Sequence, residues 1–193
     1  LVVATESLPL FPLQQVLLPG AAMDLRVFER RYLDLVRDCG RSGGGFGVCL
    51  ILEGSEVGAP ATPAAYGTEA IIEDFDMGAD GLLSLRVRGH RRFHVHRTRV
   101  RDNGLVLADV EWLAADHDEA LRPEHALLGT LLQAMMEKVG TDLAKLPPRV
   151  FEHAGWVGWR LAQVLPITPE QRVSLLQEDD VHARLQRLLE WID

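Results

Sequence analysis

The sequence predicts an α+β chain: a six-stranded, mostly antiparallel β-barrel with one inserted helix, followed by a C-terminal helical bundle. Three observations predict it. The apolar pattern changes near residue 115, from short β-rich runs to helical periodicity. The runs before that point are separated by glycine-bearing turns, among them Pro19-Gly20, "GADG" (78–81) and Asn103-Gly104. Beyond it, leucines and valines recur three and four residues apart. The change divides the chain into a barrel subdomain, 1–115, and a helical subdomain, 116–193, together one domain. Short twisted strands linked by hairpins favour closure, because closure removes exposed edges.

The first strand is read at Leu8–Leu18 and the second at Ala22–Phe28, on either side of Pro19-Gly20. Pro9 and Pro12 confine the first to an edge or a barrel seam, since proline cannot donate to a ladder. Tyr32, Leu35, Val36 and Cys39 then recur at helical spacing, with Gly40 as the stop. "GFGVCLIL" (Gly45–Leu52) reads as a strand buried on both faces. Glu53–Gly67, rich in Gly, Ala and Pro, reads as a mobile loop. "YGTEAIIEDFDM" and "LLSLRVRGHRRFHVHRTRV" are strands flanking "GADG", and Asn103-Gly104 turns the chain into a sixth, "LVLADVEWL".

In the second part, Leu128, Leu131, Met135 and Val139 mark a helix entered through Pro123 and ended by Gly140. Val157, Leu161, Val164 and Leu165 mark another, stopped by Pro166. "TPEQ" (Thr168–Gln171) is a capping box with proline at the first helical position. Val181, Leu185, Leu188, Leu189 and Ile192 mark the last, with Asp179 or Asp180 as its cap.

The bulk numbers narrow the function. Over 193 residues, 47% hydrophobic and 25% charged content are globular values. A net charge of −8 argues against sequence-independent nucleic-acid binding by the whole surface, though not against a local basic patch. Two cysteines, Cys39 and Cys49, exclude a disulfide-dense scaffold; they read as buried packing residues, with one bridge left open. "LVVATES" lacks the basic start of a signal peptide, and no apolar window reaches transmembrane length. A cytoplasmic protein without membrane contact is expected.

Three separated motifs carry a resemblance. "LPLFPLQQVLLPGAAMDLRVFERRYLDLV" (Leu8–Val36) closely resembles the start of the N-terminal substrate-binding domain of the ATP-dependent Lon protease family, above all its small stand-alone members. "YGTEAIIEDFDMGADGLLSLRVRGHRRFHV" resembles the family's Gly-Thr strand, acidic turn and Gly-x-x-Arg strand, matched by Gly67, Thr68, Gly89 and Arg92. "LAQVLPITPEQRVSLLQEDDVHARLQRLLEWI" is similar to its helical ending. The resemblance implies a PUA-like barrel followed by a helical bundle, and a module that engages protein substrates.

Residues that could carry chemistry are few. An ATPase needs a Gly-rich loop ending in Gly-Lys-Ser/Thr. Here no Gly-Lys pair occurs, and the only lysines are Lys138 and Lys145. No serine has the context of a peptidase dyad. No catalytic residue and no cofactor are expected. Arg86–Arg101 holds seven arginines and three histidines, either an RNA-binding stripe or a solvated face paired with Glu69, Glu73, Asp74, Asp76, Asp109 and Glu111. The paired face is favoured, because Phe93 is the only aromatic in the run. His94 and His96 share a strand face, as two metal ligands would, but no third ligand is evident and no metal site is expected. "DHDE" (Asp116–Glu119) reads as a helix cap. Trp156 and Trp159 read as core more than as a client platform.

The expected function is therefore non-catalytic binding of unfolded or partner polypeptides, as an adaptor or regulator. The alternative is an RNA- or nucleotide-binding barrel. The expected contact surface is Glu29, Arg30 and Arg31, at an exposed first turn of the helix that Phe28 and Tyr32 hold in place.

Overall fold

The computed structural model describes residues 3–140 and 145–192, and the chain forms two compact units, Leu1–Ala114 and Ala115–Asp193. The first unit runs β1 (Glu6–Leu13), β2 (Ala22–Val27), α1 (Arg30–Ser42), β3 (Phe46–Glu53), β4 (Thr62–Met77), β5 (Leu83–Val100) and β6 (Val106–Trp112). These strands make a mixed sheet in the order β2-β5-β4-β3-β1-β6, and β5 also pairs with β6. At 18 residues, β5 is long enough to meet β2 with its first half and β6 with its second. Pairing is antiparallel except between β1 and β3. The chain passes through β2 and α1 between those two, which is the long crossover that a parallel pair needs.

The first strand differs from expectation. It stops at Leu13, and Leu17 and Leu18 reach the core from a turn instead. Strand β1 is also internal to the sheet order, which at first conflicts with its prolines. The register resolves this: Glu6–Pro9 pair with β6, and Leu10–Leu13 pair with β3. Each half thus has a ladder on one side only. Pro9 and Pro12 lie an odd number of residues apart, so their nitrogens point to opposite sides of the strand. Each can direct its missing donor to the side that has no ladder.

Three other boundaries move. Helix α1 runs through Gly40 and ends where Gly43 adopts φ 73° and its N–H meets the Cys39 carbonyl at 2.9 Å. The left-handed cap belongs to the glycine that needs it, and Gly40 stays helical. The expected loop Glu53–Gly67 is shorter than read: 54–61 connects the strands, while β4 already begins at Thr62 and pairs across a bulged register with β3. At the β5–β6 turn only Gly104 is left-handed (φ 87°), while the Asn103 side chain accepts from Leu105 N at 3.0 Å.

Leu8, Leu10, Cys49, Phe93, Val106, Ala108 and Val110 form the sheet's core cluster. Phe11 stacks on Tyr32 at 4.0 Å and lies 5.9 Å from Phe46, which fixes α1 on the sheet. Thr68 and Arg92, from the resemblance motifs, are buried, and Arg92 donates to the Ala114 carbonyl at 3.1 Å.

The second unit holds α2 (Ala126–Lys138), α3 (Ala154–Val164), α4 (Pro169–Gln177) and α5 (Val181–Ile192), with 3-10 turns at Pro123–His125 and Pro148–Glu152. No helix among the described residues is long and apolar enough to cross a membrane. Helix α2 buries Leu128, Gly129 and Leu132, while Val139 is exposed, so its inward face is rotated from the expected one. The reason is close packing at Gly129, where a Cβ would lie 2.8 Å from the Phe151 carbonyl oxygen.

The segment Asp116–Glu119 is not a helix cap. Asp116 accepts from both Arg184 and the Trp159 indole, Asp118 pairs with His153, and the Glu119 carbonyl accepts from Ala154. Asp180 caps α5 by accepting from His182 N at 2.9 Å. At α4 both arms of the capping box form, at 2.8 and 3.0 Å. Thr168→Ala should lower the stability of this unit by about 1 kcal/mol. Urea unfolding would measure it, and an unchanged midpoint would contradict the capping role.

Candidate functional site

Helix α1 reaches the sheet through Tyr32, Leu35 and Cys39, which turns a second stripe of the helix toward solvent. That stripe and the β4–β5 hairpin bound a groove of about 580 Å³. Leu33 and Val36 line it from the helix; Ile71, Ile72, Phe75 and Leu83 line it from the strands. Phe75 is 70% exposed, an unusual position for a large apolar ring. The rim is charged on both sides, with Arg37 on the helix and Glu73 and Asp74 on the strand. The ion pairs Arg37–Asp34 (3.4 Å) and Arg88–Glu73 (2.9 Å) are partly exposed, and pairs open to solvent rearrange at little cost.

Gly40 lies on this groove, and a Cβ there would meet nothing within 4 Å. A glycine inside a helix is about 1 kcal/mol less favourable than alanine. Packing supplies no reason for it. Its effect is to leave the groove open over the last turns of α1.

The expected contact residues divide. Arg30 is open, its side chain 83% exposed beside Asp34 at 3.5 Å. By spacing it shares the groove face of α1 with Leu33, Arg37 and Gly40. Glu29 is the N-cap position but makes no side-chain cap bond. Arg31 is not exposed: it is 5% accessible, donates to the Gly104 carbonyl at 3.2 Å, pairs with Glu29 at 3.2 Å and lies over the Tyr32 ring. It ties α1 to the β5–β6 turn. A sequence signal for this existed, since Arg31 stands four residues before the buried Leu35 and so on the inward stripe. Phe28, expected to anchor the helix, is exposed instead.

The basic strand makes pairs along its length. Arg86 meets Asp24, Arg88 meets Glu73, Arg91 grips Glu69 with two bonds of 3.0 Å, and Arg97 and Arg99 share Asp109. Hydrogen bonds from Arg97 oppose the effect of burial and hold the Asp109 carboxyl below its ordinary range, with Arg99 adding to this. Asp74 and Asp76, also expected as partners, face the grooves beside β4. His94 and His96 do converge, and the carboxylate that joins them is Glu111.

Trp159 is buried, with Arg184 over its ring at 4.1 Å, and Trp156 packs edge-on against Phe151. Neither forms an exposed platform. Cys39 and Cys49 are free and buried; burial pushes their thiols up to about 11 and about 12, which keeps them protonated and unreactive.

An apolar floor, a rearrangeable charged rim and an unfilled helix face suit the capture of a polypeptide segment more than a fixed small molecule. Comparison with known proteins agrees in kind. The sequence profile of the ATP-dependent protease La (LON) substrate-binding domain matches residues 7–193. Among solved structures, the Lon N-terminal domain protein from Xanthomonas campestris is 60% identical, with a TM-score of 0.84 over 96% of this chain and 98% of that one. The N-terminal domain of Mycobacterium avium complex Lon protease, 19% identical, shares the fold with a TM-score of 0.68 over 96% and 97% of the two chains. Among curated proteins nothing matches. With all but its first six residues matched, the chain belongs to the ATP-dependent protease La (LON) substrate-binding domain family.

Proposed function

We propose that this chain is a non-catalytic client-recognition module of the cytoplasm, holding apolar segments of unfolded or partner proteins as an adaptor or regulator. The observation that carries this reading is the open groove beside α1, kept clear by a helical glycine that packing does not require. Leu33, Val36, Ile71 and Phe75 would take apolar side chains of the segment. Arg30 and Glu29 would extend the contact along the first turn, with Arg31 holding that turn in place. We further read the strand circuit through β5 as a PUA-like barrel, and the division near residue 115 as two subdomains of one domain. RNA binding draws no support from the basic strand, whose arginines from 86 to 99 meet carboxylates or carbonyls of the chain.

Gly40→Leu tests the groove without threatening the fold, because leucine is a better helix former than glycine and enters open space. Binding of fluorescently labelled, unfolded casein should weaken about tenfold, equivalent to about 1.4 kcal/mol, with no loss of melting temperature. Arg30→Glu should weaken it by a smaller factor. Undiminished affinity in Gly40→Leu would place the client elsewhere.

A further inference from the structure

We propose that His94, His96 and Glu111 form a transition-metal site on the β5–β6 face, with Zn(II) as the ion that fits it best. The site is independent of the groove. His94 and Glu111 are direct cross-strand partners, so their side chains leave the same face of the sheet. The register then slips between Val95 and Arg97, which makes His96 the extra residue of a bulge. A bulge re-aims a side chain, and here the His96 ring is brought to 2.9 Å from Glu111 Oε1 through Nε2. His94 Nδ1 lies 3.9 Å from the same oxygen, and one ligand atom from each of the three residues falls within 4.8 Å of the others.

The spacing is close to what the ion needs. At metal–nitrogen and metal–oxygen lengths of about 2.1 Å, tetrahedral ligand atoms stand about 3.4 Å apart, so side-chain torsions alone can close the triad. Two imidazoles and one carboxylate are a borderline-soft donor set that favours Zn(II) over Mg(II) or Ca(II). Partial exposure of all three residues leaves a fourth position open to water or to a donor from another molecule. Tyr66 stacks flat on His94 at 4.4 Å and fixes the plane of its ring.

The arginines that would repel a cation are engaged elsewhere. Arg97 and Arg99 both pair with Asp109 at 3.1 Å, and Arg91 pairs with Glu69 while lying over Trp112. The sequence hid the site because Glu111 lies on the next strand, 15 residues after His96, and only the register shows that it completes the pair of histidines.

Calorimetric titration of the untagged protein with zinc chloride should show one ion per chain, and cobalt(II) should give a visible absorption band at the same stoichiometry. His96→Gln and Glu111→Gln should each weaken binding at least about tenfold, whereas His90→Gln should not. In the wild-type protein, zinc should perturb the ring-proton signals of His94 and His96 before those of the other histidines. No saturable binding, binding retained in both variants, or a first perturbation at another histidine would each overturn the assignment.

Discussion

Asp116→Ala is expected to destabilise the helical unit by about 3–5 kcal/mol. The Arg184 guanidinium is 2% accessible, and its charge is met by Asp116 while its flat face covers the Trp159 ring at 4.1 Å. The other Asp116 oxygen accepts from the Trp159 indole at 3.1 Å. One carboxylate thus serves a buried cation and a buried donor from two helices. Alanine would take the carboxylate from a buried cation and a buried indole N–H together, and the cost of their desolvation, more than the lost attraction, sets the size of the effect. Asp116→Asn keeps an acceptor in place and should cost less than alanine. Urea unfolding followed by tryptophan fluorescence separates the two variants; a loss below about 1 kcal/mol for alanine would mean that Arg184 finds solvent or another anion.

Gly89→Ala should cost the strand-built unit about 3 kcal/mol, at the upper end of ordinary overpacking. A Cβ at this position would meet the Leu18 carbonyl oxygen at 2.2 Å and its carbon at 3.0 Å. These are backbone atoms, and they are not free to retreat. The same turn is fastened to β5 by Gly20 N donating to the Gly89 carbonyl and Gly89 N donating to the Ala21 carbonyl, both at 2.8 Å. Relief would require breaking that pair or pulling Leu17 and Leu18 from the core. Denaturant unfolding of the variant measures the cost, and a change under about 1 kcal/mol would show that the 14–21 segment yields easily.

Much of the architecture could be read in advance because it is encoded locally. Thr168-Pro169-Glu170-Gln171 contains both halves of its own cap, and the hairpin at Asn103-Gly104 needs only one left-handed residue. The harder features depend on which strands meet. Asp116 looked like a cap because four polar residues precede a helix, whereas its partners, Trp159 and Arg184, lie on distant helices. Arg31 looked like surface because arginine usually is. Its burial is made tolerable by Glu29 and the Tyr32 ring beside it together with the Gly104 carbonyl 73 residues away, the one partner that local sequence does not show. The groove was half visible. The sequence marks the inward stripe of α1, but that the outward one faces β4 is a matter of sheet order.

The divided pairing of β1 bears on how the protein is made. Its first half aligns with β6, with Glu6 opposite Val110, so the strand synthesised first is completed by the one synthesised last in its unit. At about 5–20 residues per second, that partner follows roughly 5–20 s later. During this interval Leu8 and Leu10, destined for the core, have no complete sheet to enter. Such pairing between remote segments also slows folding once the chain is whole, because the long loop must close before its contacts can form. A protein proposed to hold the exposed apolar segments of others thus itself carries, while it is being made, an apolar first strand of its sheet waiting to be covered.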